Sequence, residues 1–427
     1  MNTKAKASVR IRELPRRQVT VFLLVGLTLL FSGYDLNVFG LALPQIQREL
    51  HIPEDMAGLT VSYFRLATIP ALLIALTADI FGRRRLLLVT VFGEALLTLA
   101  TAFAHNYAQF VWLQVLARVF GYSEELLCFV VVAEEIDERV RGLAVGTLAA
   151  MNALGAGFAA GAFAAVNVLP FGWRALYLIG GATLMILAYY RRWLPETARF
   201  ELHRKELALL GTKTRATLDT VRRLMKEHPR RLAALVTSVG AFGYAIGPAT
   251  VLMSKYLQQT HHYRPGEITV LFIGGGLISV AGNITAGRIS DRFGRKRVLF
   301  TVAAASGAGF AVFYSGIGGW ILPVSWIIAL FGFLSADALM AGVAVEIFPT
   351  AYRATASGIR YLVTILCGAL GLALEGVFYD WYGAHGPAIS AALALIPVAL
   401  IGILCLPETA GRTLEDISEE SIESAPS

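Results

Sequence analysis

Carboxylates inside apolar stretches long enough to cross a bilayer are costly, and each marks a site where chemistry is expected. Asp35, Glu125 and Asp337 lie in such stretches. Glu125 and Asp337 are 212 residues apart, and each stands nine residues ahead of another glutamate, Glu134 and Glu346. At 1.5 Å per residue, nine residues of helix place both acids about 13 Å into a span, near the bilayer midplane. Acids so placed are suited to take up and release protons as their surroundings change. Asp35 falls in the outer half of its span, where it can carry a proton or bind a solute. Cations accompany the acids: Arg118, Tyr122 and Glu125 occur at i, i+4 and i+7 and share one helix face, with Glu124 turned about 100° towards a neighbouring helix or cavity edge. Arg65 and Arg360 also fall inside apolar runs, where a guanidinium can neutralise an acid or grip a carboxylate through two parallel hydrogen bonds. Tyr34, Phe39, Tyr244 and Tyr361 supply aromatic walls. The chemistry suggested is reversible protonation beside capture of a small organic anion. Glu94 is expected in an internal ion pair, Glu375 at the membrane interface, and His261 and His262 in solvent.

The elements that carry these residues are membrane helices. With 56% hydrophobic and 16% charged residues in 427, and mean hydropathy +0.62, the chain has too little polar surface to cover a soluble globule. Runs of roughly 20 apolar residues, enough for ~30 Å of hydrocarbon, fall at 19–43, 57–78, 86–104, 109–133, 143–168 and 174–194. Six more fall at 231–257, 267–287, 298–316, 320–345, 354–379 and 384–406. The fold class is therefore all-α membrane protein with twelve transmembrane helices. Asp79 and Asp291, Gly82 and Gly294, Arg83 and Arg295, Glu134 and Glu346, and Arg141 and Arg353 all share the 212-residue offset. So do Pro195-Glu196-Thr197-Ala198 and Pro407-Glu408-Thr409-Ala410. This register predicts two pseudo-symmetric six-helix bundles, residues 1–194 and 230–406, the parallel-repeat plan of transporters.

Most Lys and Arg fall in the tails and even-numbered loops. The exceptions are Arg48, Arg174, Lys255 and Arg264 near the opposite face, and Arg65, Arg118 and Arg360 within spans. By the positive-inside rule both termini are cytoplasmic. The net charge of +7 is thereby explained by topology, without a nucleic-acid partner. Cys128, Cys367 and Cys405 show no metal-ligand spacing, and neither metal nor cofactor is expected beyond the coupling proton. Residues 195–229 form a cytoplasmic linker in which Leu218, Val221, Leu224 and Met225 alternate with Arg222, Arg223 and Lys226, an amphipathic helix at the lipid surface. Residues 407–427 are a cytoplasmic tail, where Thr413-Leu414-Glu415-Asp416 can cap a short helix before an acidic end.

Gly287-Arg288-Ile289-Ser290-Asp291-Arg292-Phe293-Gly294-Arg295-Lys296 resembles the signature loop of the major facilitator superfamily, with Asp79-Ile80-Phe81-Gly82-Arg83-Arg84-Arg85 as its first-half counterpart. In that first copy Ala75 replaces the usual leading glycine and Ile80 the usual basic residue. The resemblance implies that Asp79 and Asp291 latch the cytoplasmic side, each meeting the positive end of a helix and a partner arginine. Gly82, Arg83, Arg292, Gly294 and Arg295 form the loops, and Glu134 with Arg141 and Glu346 with Arg353 complete symmetric networks. It also implies that the fourth and tenth helices line a central cavity. Pro407-Glu408-Thr409-Ala410-Gly411-Arg412 is similar to the helix exits of sugar porters. Glu346-Ile347-Phe348-Pro349-Thr350 and Gly33-Tyr34-Asp35-Leu36 are similar to organic-ion, nicotinate and aromatic-acid:proton symporters.

The function expected is secondary active transport by alternating access, not enzymatic catalysis: a monomer in a bacterial-type inner or plasma membrane, in contact with lipid, that moves a small organic acid together with a proton. The three intramembrane arginines favour an aromatic or nicotinate-like carboxylate. A sugar porter is the alternative that the exit motifs support, and an organic-cation efflux carrier is a third reading. Helix seven lacks a Gln-Gln-x-Ser-Gly-x-Asn-type run, and Gly155, Gly157 and Gly161 of helix five are expected to serve close helix packing.

Overall fold

The computed structural model describes residues 16–136, 141–193, 213–349 and 352–410, and all regular structure among them is helical. The first half contains α1 (Arg16–Leu50), α2 (Met56–Leu66), α3 (Thr68–Leu76), α4 (Ala78–Phe81), α5 (Arg83–Thr101), α6 (Tyr107–Glu135), α7 (Arg141–Ala164) and α8 (Trp173–Arg191). After the linker helix α9 (Lys213–Glu227) come α10 (Pro229–Val251), α11 (Met253–Thr260), α12 (Pro265–Phe293), α13 (Arg295–Phe313), α14 (Ile321–Glu346), α15 (Arg353–Tyr382), α16 (His385–Leu393) and α17 (Ile396–Leu404). Among the described residues, nine helical runs are long and apolar enough to cross a membrane. The runs α5, α6 and α8 complete the twelve and carry the charged residues considered below.

The repeat read from sequence reappears in helix boundaries. Arg83–Thr101 and Arg295–Phe313 each span 19 residues and stand 212 positions apart. Trp173 and His385, which open α8 and α16, keep the same offset. Helix breaks have a common cause, because proline lacks an N–H and leaves the carbonyl four residues back without its helical partner. Pro70 thus separates α2, ending at Leu66, from α3, and Pro397 separates α16, ending at Leu393, from α17.

Contacts divide the chain into two compact units, one drawn from Met1–Ile46 and Ala67–Gly211, the other from Gln47–Leu66 and Thr212–Ser427. The segment carrying α2 thus packs within the second unit. In the first unit Val25 and Leu29 of α1 meet Leu87 of α5, Leu127 and Val132 of α6, and Leu148 of α7 in one buried cluster. An aromatic group in the same unit has Phe110, Trp173 and Tyr177 meeting edge to face at centroid distances of 5.8–6.1 Å. Arg174 donates to the carbonyls of Ala102 (2.6 Å) and Ala104 (2.8 Å), satisfying orphan acceptors past the end of α5.

The second unit is held by a seam of small residues, the expected substitute for hydrophobic driving force between helices in lipid. On α10, a methyl group at Gly243 would strike Thr364 of α15, and one at Gly371 would strike the carbonyl of Tyr244. Gly309 and Gly332 let α13 and α14 approach equally closely, and Ser306 donates across that contact to the carbonyl of Ala329 at 3.1 Å. The expected amphipathic linker helix is α9, where Leu224 is fully buried and Met225 exposed. The side chain of Leu218, residues 195–212 and the tail beyond Ala410, with Thr413 to Asp416, lie outside the described residues.

Candidate functional site

In the first unit the acids and arginines of α1, α5, α6 and α8 gather in the helix interior. Asp35 is 2% exposed, with Arg118 and Thr98 around its carboxyl group, and one carboxylate oxygen has no hydrogen-bond partner. Arg118 donates to the backbone carbonyl of Asp35 at 3.0 Å and to Gln114 at 3.4 Å; Gln114 in turn donates to Thr101 at 3.1 Å. Glu94 is buried and accepts from Ser32 at 3.0 Å. Gly121 makes room for it, since a Cβ there would collide with the Glu94 carboxylate. Glu94 therefore sits beside the Asp35 group.

Glu124 faces a neighbouring helix. Its Oε1 accepts from the Arg191 guanidinium at 2.7 Å, both side chains are fully buried, and Arg191 also donates to Cys128 Sγ at 3.3 Å. The sequence counts Arg191 with the loop cations, whereas it turns inward from the last turn of α8. Burying both charges is tolerable only because each is paired, and this pair belongs to the architecture of the bundle. Glu125, on the adjacent face and partly buried, accepts from Asn152 of α7 at 3.4 Å. Tyr122 is partly buried on the same helix. Tyr34 is taken up in packing: its hydroxyl donates to the carbonyl of Leu176 at 3.0 Å.

In the second unit Asp337 of α14 and Arg360 of α15 form a 2.9 Å ion pair. Asp337 is 48% exposed and Arg360 15% exposed, so the pair borders open space rather than core. Tyr361, beside Arg360, is 38% exposed and Tyr244 is buried. Arg65 of α2 lies against Gly247 and Gly368, two positions without side chains where α10 and α15 admit its guanidinium.

The residues that the resemblance reads as a latch in the second unit are brought together in an unanticipated way. Arg295 pairs with Glu346 at 2.6 Å and with Asp291 at 3.4 Å. The carboxylate that caps α13 is Glu408, which accepts from the backbone N–H of Arg295 at 2.8 Å and of Lys296 at 3.3 Å. Four N–H groups at a helix start lack partners and carry partial positive charge, so an acid there is stabilised. Asp291 is 65% exposed and, among the described residues, pairs with Arg295. Thr409 donates to Glu346 at 2.6 Å, which ties the exit tetrad to the same network. Gly294, at φ +100°, sits where a side chain would be strained and would strike Glu408; Gly82 repeats the turn at φ +92°. Arg83 donates to the carbonyl of Ala78 at 3.3 Å and Arg353 to that of Phe348 at 3.3 Å. Arg292 lies at the end of α12. The side chains of Asp79, Glu134 and Arg141, and the Pro195–Ala198 tetrad, lie outside the described residues.

One group escaped the sequence reading. Glu375 is fully buried rather than interfacial, and it meets His385, which also meets Glu54, the partner of Lys255. None of these residues has a chemical counterpart 212 positions away, so a search guided by the repeat passes over them. His261 contacts the Tyr256 hydroxyl at 3.3 Å and is partly buried rather than fully solvated.

A model of the Major Facilitator Superfamily matches residues 25–269 and again 232–426. The chain is 26% identical over 409 residues to a probable 4-methylmuconolactone transporter of Cupriavidus pinatubonensis, covering 91% of this chain and 90% of that one. It is 28% identical over 427 residues to a gallate transporter of Pseudomonas putida, covering 90% and 92%. Among solved structures, the inward-open xylose transporter XylE from E. coli superimposes with a TM-score of 0.72 at 16% identity, over 94% of this chain and 99% of that one. That likeness concerns the fold alone.

Proposed function

We propose, from the premise that this chain belongs to the major facilitator superfamily and is an integral membrane transporter of a small molecule, that its substrate is an organic acid, aromatic or nicotinate-like, carried together with a proton by alternating access. The observation that carries this reading is the Asp337–Arg360 pair, a charge pair at span depth bordering open space. Protonation of Asp337 removes the negative partner of Arg360. The guanidinium then takes the carboxylate of an incoming acid through its two parallel donors, and the site keeps its net charge. Loading thus requires proton and anion together, and the loaded state differs from the empty one in the contacts that a transition between conformations can sense. Asp35 and Glu125 are the further proton sites, with Arg118 and Tyr122 beside them, and Arg65, Tyr244 and Tyr361 line the path. The gallate transport named for one relative is consistent with this substrate class. The carrier works as a monomer with both termini in the cytoplasm, in an inner or plasma membrane, as the basic loops imply. The latch residues govern closure on that side.

Glu408 and Thr409 cap α13 and hold Glu346, so the exit motif serves the helix ends, and a sugar is the alternative reading. A thermal-shift screen of the detergent-solubilised protein against aromatic and nicotinate-like acids, hexoses and organic cations, at mildly acidic and neutral pH, tests the reading. A ligand at 100 times its Kd adds about 2.7 kcal/mol to the folded state. Stabilisation by a carboxylate that strengthens with acidity and disappears in Arg360→Gln is the expected result. Stabilisation by hexoses alone overturns it.

A further inference from the structure

The second unit contains a charge cluster, buried at Lys255, Glu375 and His385 and 41% exposed at Glu54, that takes no part in the site above. His385 opens α16 with its ring between two carboxylates: Nδ1 lies 2.7 Å from Glu375 of α15, and Nε2 lies 3.2 Å from Glu54, just ahead of α2. Lys255 of α11, with no side-chain exposure, is ion-paired to Glu54, and Gln259 donates to Glu54 at 3.1 Å. The ring of Tyr379 stacks on His385 at 4.3 Å. The other ionisable groups near the cluster among the described residues are Asp55, Asp380, Tyr256 and Tyr314. The helices approach closely enough because Gly58 of α2 passes over the Glu375 carboxylate and Gly376 of α15 over the backbone of Asp55.

Donor counting decides the protonation state. A neutral imidazole offers one donor and one acceptor, and an ionised carboxylate only accepts. With a carboxylate at each ring nitrogen, a neutral ring can donate to only one of them, and both receive a donor from the ring only if one extra proton resides in the group. With His385 doubly protonated, two cations face two anions. Without the proton, one carboxylate meets a ring lone pair and the set of Glu54, Glu375, His385 and Lys255 carries a net negative charge. Glu54, held ionised down to about 2 chiefly by its hydrogen bond to His385, is not the group that releases this proton on alkalinisation.

The geometry points to a proton-binding clamp, in which one proton shared by His385, Glu375 and Glu54 fastens the 47–66 segment to α11, α15 and α16. The segment belongs to the first half of the sequence but packs in the second unit. It lies at the helix ends opposite the Arg83–Arg85 and Arg292–Arg297 loops, hence on the outer face if the basic loops are cytoplasmic. A proton arriving from outside would fasten this segment within the second unit, a change that coupled uptake could use. In this respect the clamp rests on the transport reading, while its chemistry does not.

The test is hydrogen–deuterium exchange of the full-length protein in detergent, without substrate, followed in peptides from 47–66 at about pH 6 and about pH 9, on either side of the ordinary histidine range, and corrected for intrinsic rates. Wild type is expected to lose protection by about tenfold at the higher pH, the factor corresponding to one charged hydrogen bond. In Glu375→Gln an amide donor replaces an acceptor, so a neutral His385 is satisfied and protection should persist at both values. His385→Phe, which keeps the ring stack, should be poorly protected at both. A wild type indifferent to pH, or a Glu375→Gln variant that tracks wild type, overturns the clamp. Because no substrate is present, failure of the acid-transport reading in the thermal-shift screen would leave this result standing, and the converse holds as well.

Discussion

Buried charges in this protein divide by what they touch. Glu124 and Arg191 are fully buried against each other, whereas Asp337 keeps its Arg360 contact while 48% exposed. The first arrangement is structural. Removing one member strands the other charge, so Arg191→Met should destabilise the protein by about 3–5 kcal/mol, while Glu124→Gln with Arg191→Met should recover most of that loss. Denaturant titration in detergent measures both, and equal instability of the single and double variants would contradict the assignment. On the proposed function, the second arrangement is poised for exchange of partners. Asp337→Asn should lower accumulation driven by a pH gradient by at least about tenfold while exchange of internal for external substrate continues, since the amide can neither bind nor release the proton. Unchanged accumulation removes Asp337 from the proton path. Both acids of the 212-residue pair were legible from sequence, because a carboxylate in an apolar run stands out. Arg191 was not, since only its side-chain direction separates it from the loop cations beside it.

At the scale of elements, turns and helix starts carry the constraint. Gly294 combines a positive φ with the approach of Glu408 to the first turn of α13. Gly294→Ala should cost about 1–2 kcal/mol for the left-handed backbone alone, and it should also displace the cap. Glu408→Gln keeps the turn and weakens the charge interaction with the helix start by about 0.3–1 kcal/mol. If labelling of single cysteines placed near Arg295 is the same in both variants and in wild type, the cap has no influence on this end of the molecule. The helices themselves were legible from hydropathy, as were their two sets of six. Their breaks follow from Pro70 and Pro397, yet the identity of the capping acid does not. The family resemblance pairs Asp291 with a helix end, whereas at the start of α13 the chain beyond α17 returns to place Glu408.

At the scale of the molecule, symmetry both informed and misled. Residues repeated at the 212-residue offset account for the fold, the latch loops and one acid from each half. Residues without a counterpart account for the rest: Asp35 corresponds to Gly247, Arg118 to Leu330, and Glu54, Lys255, Glu375 and His385 have no chemical counterpart 212 positions away. A carrier whose halves do different work needs such asymmetry, with binding chemistry unlike on the two sides. The contacts of α2 with α15 were equally hidden, because grouping by sequence assigns Gln47–Leu66 to the first half.

Uptake of a labelled aromatic carboxylate such as gallate into proteoliposomes, with an imposed inside-alkaline pH gradient, tests the central claim most directly. The account predicts accumulation above the external concentration, abolished by a protonophore and by Arg360→Gln. Equilibration without accumulation, unaffected by the gradient and retained in Arg360→Gln, would contradict it.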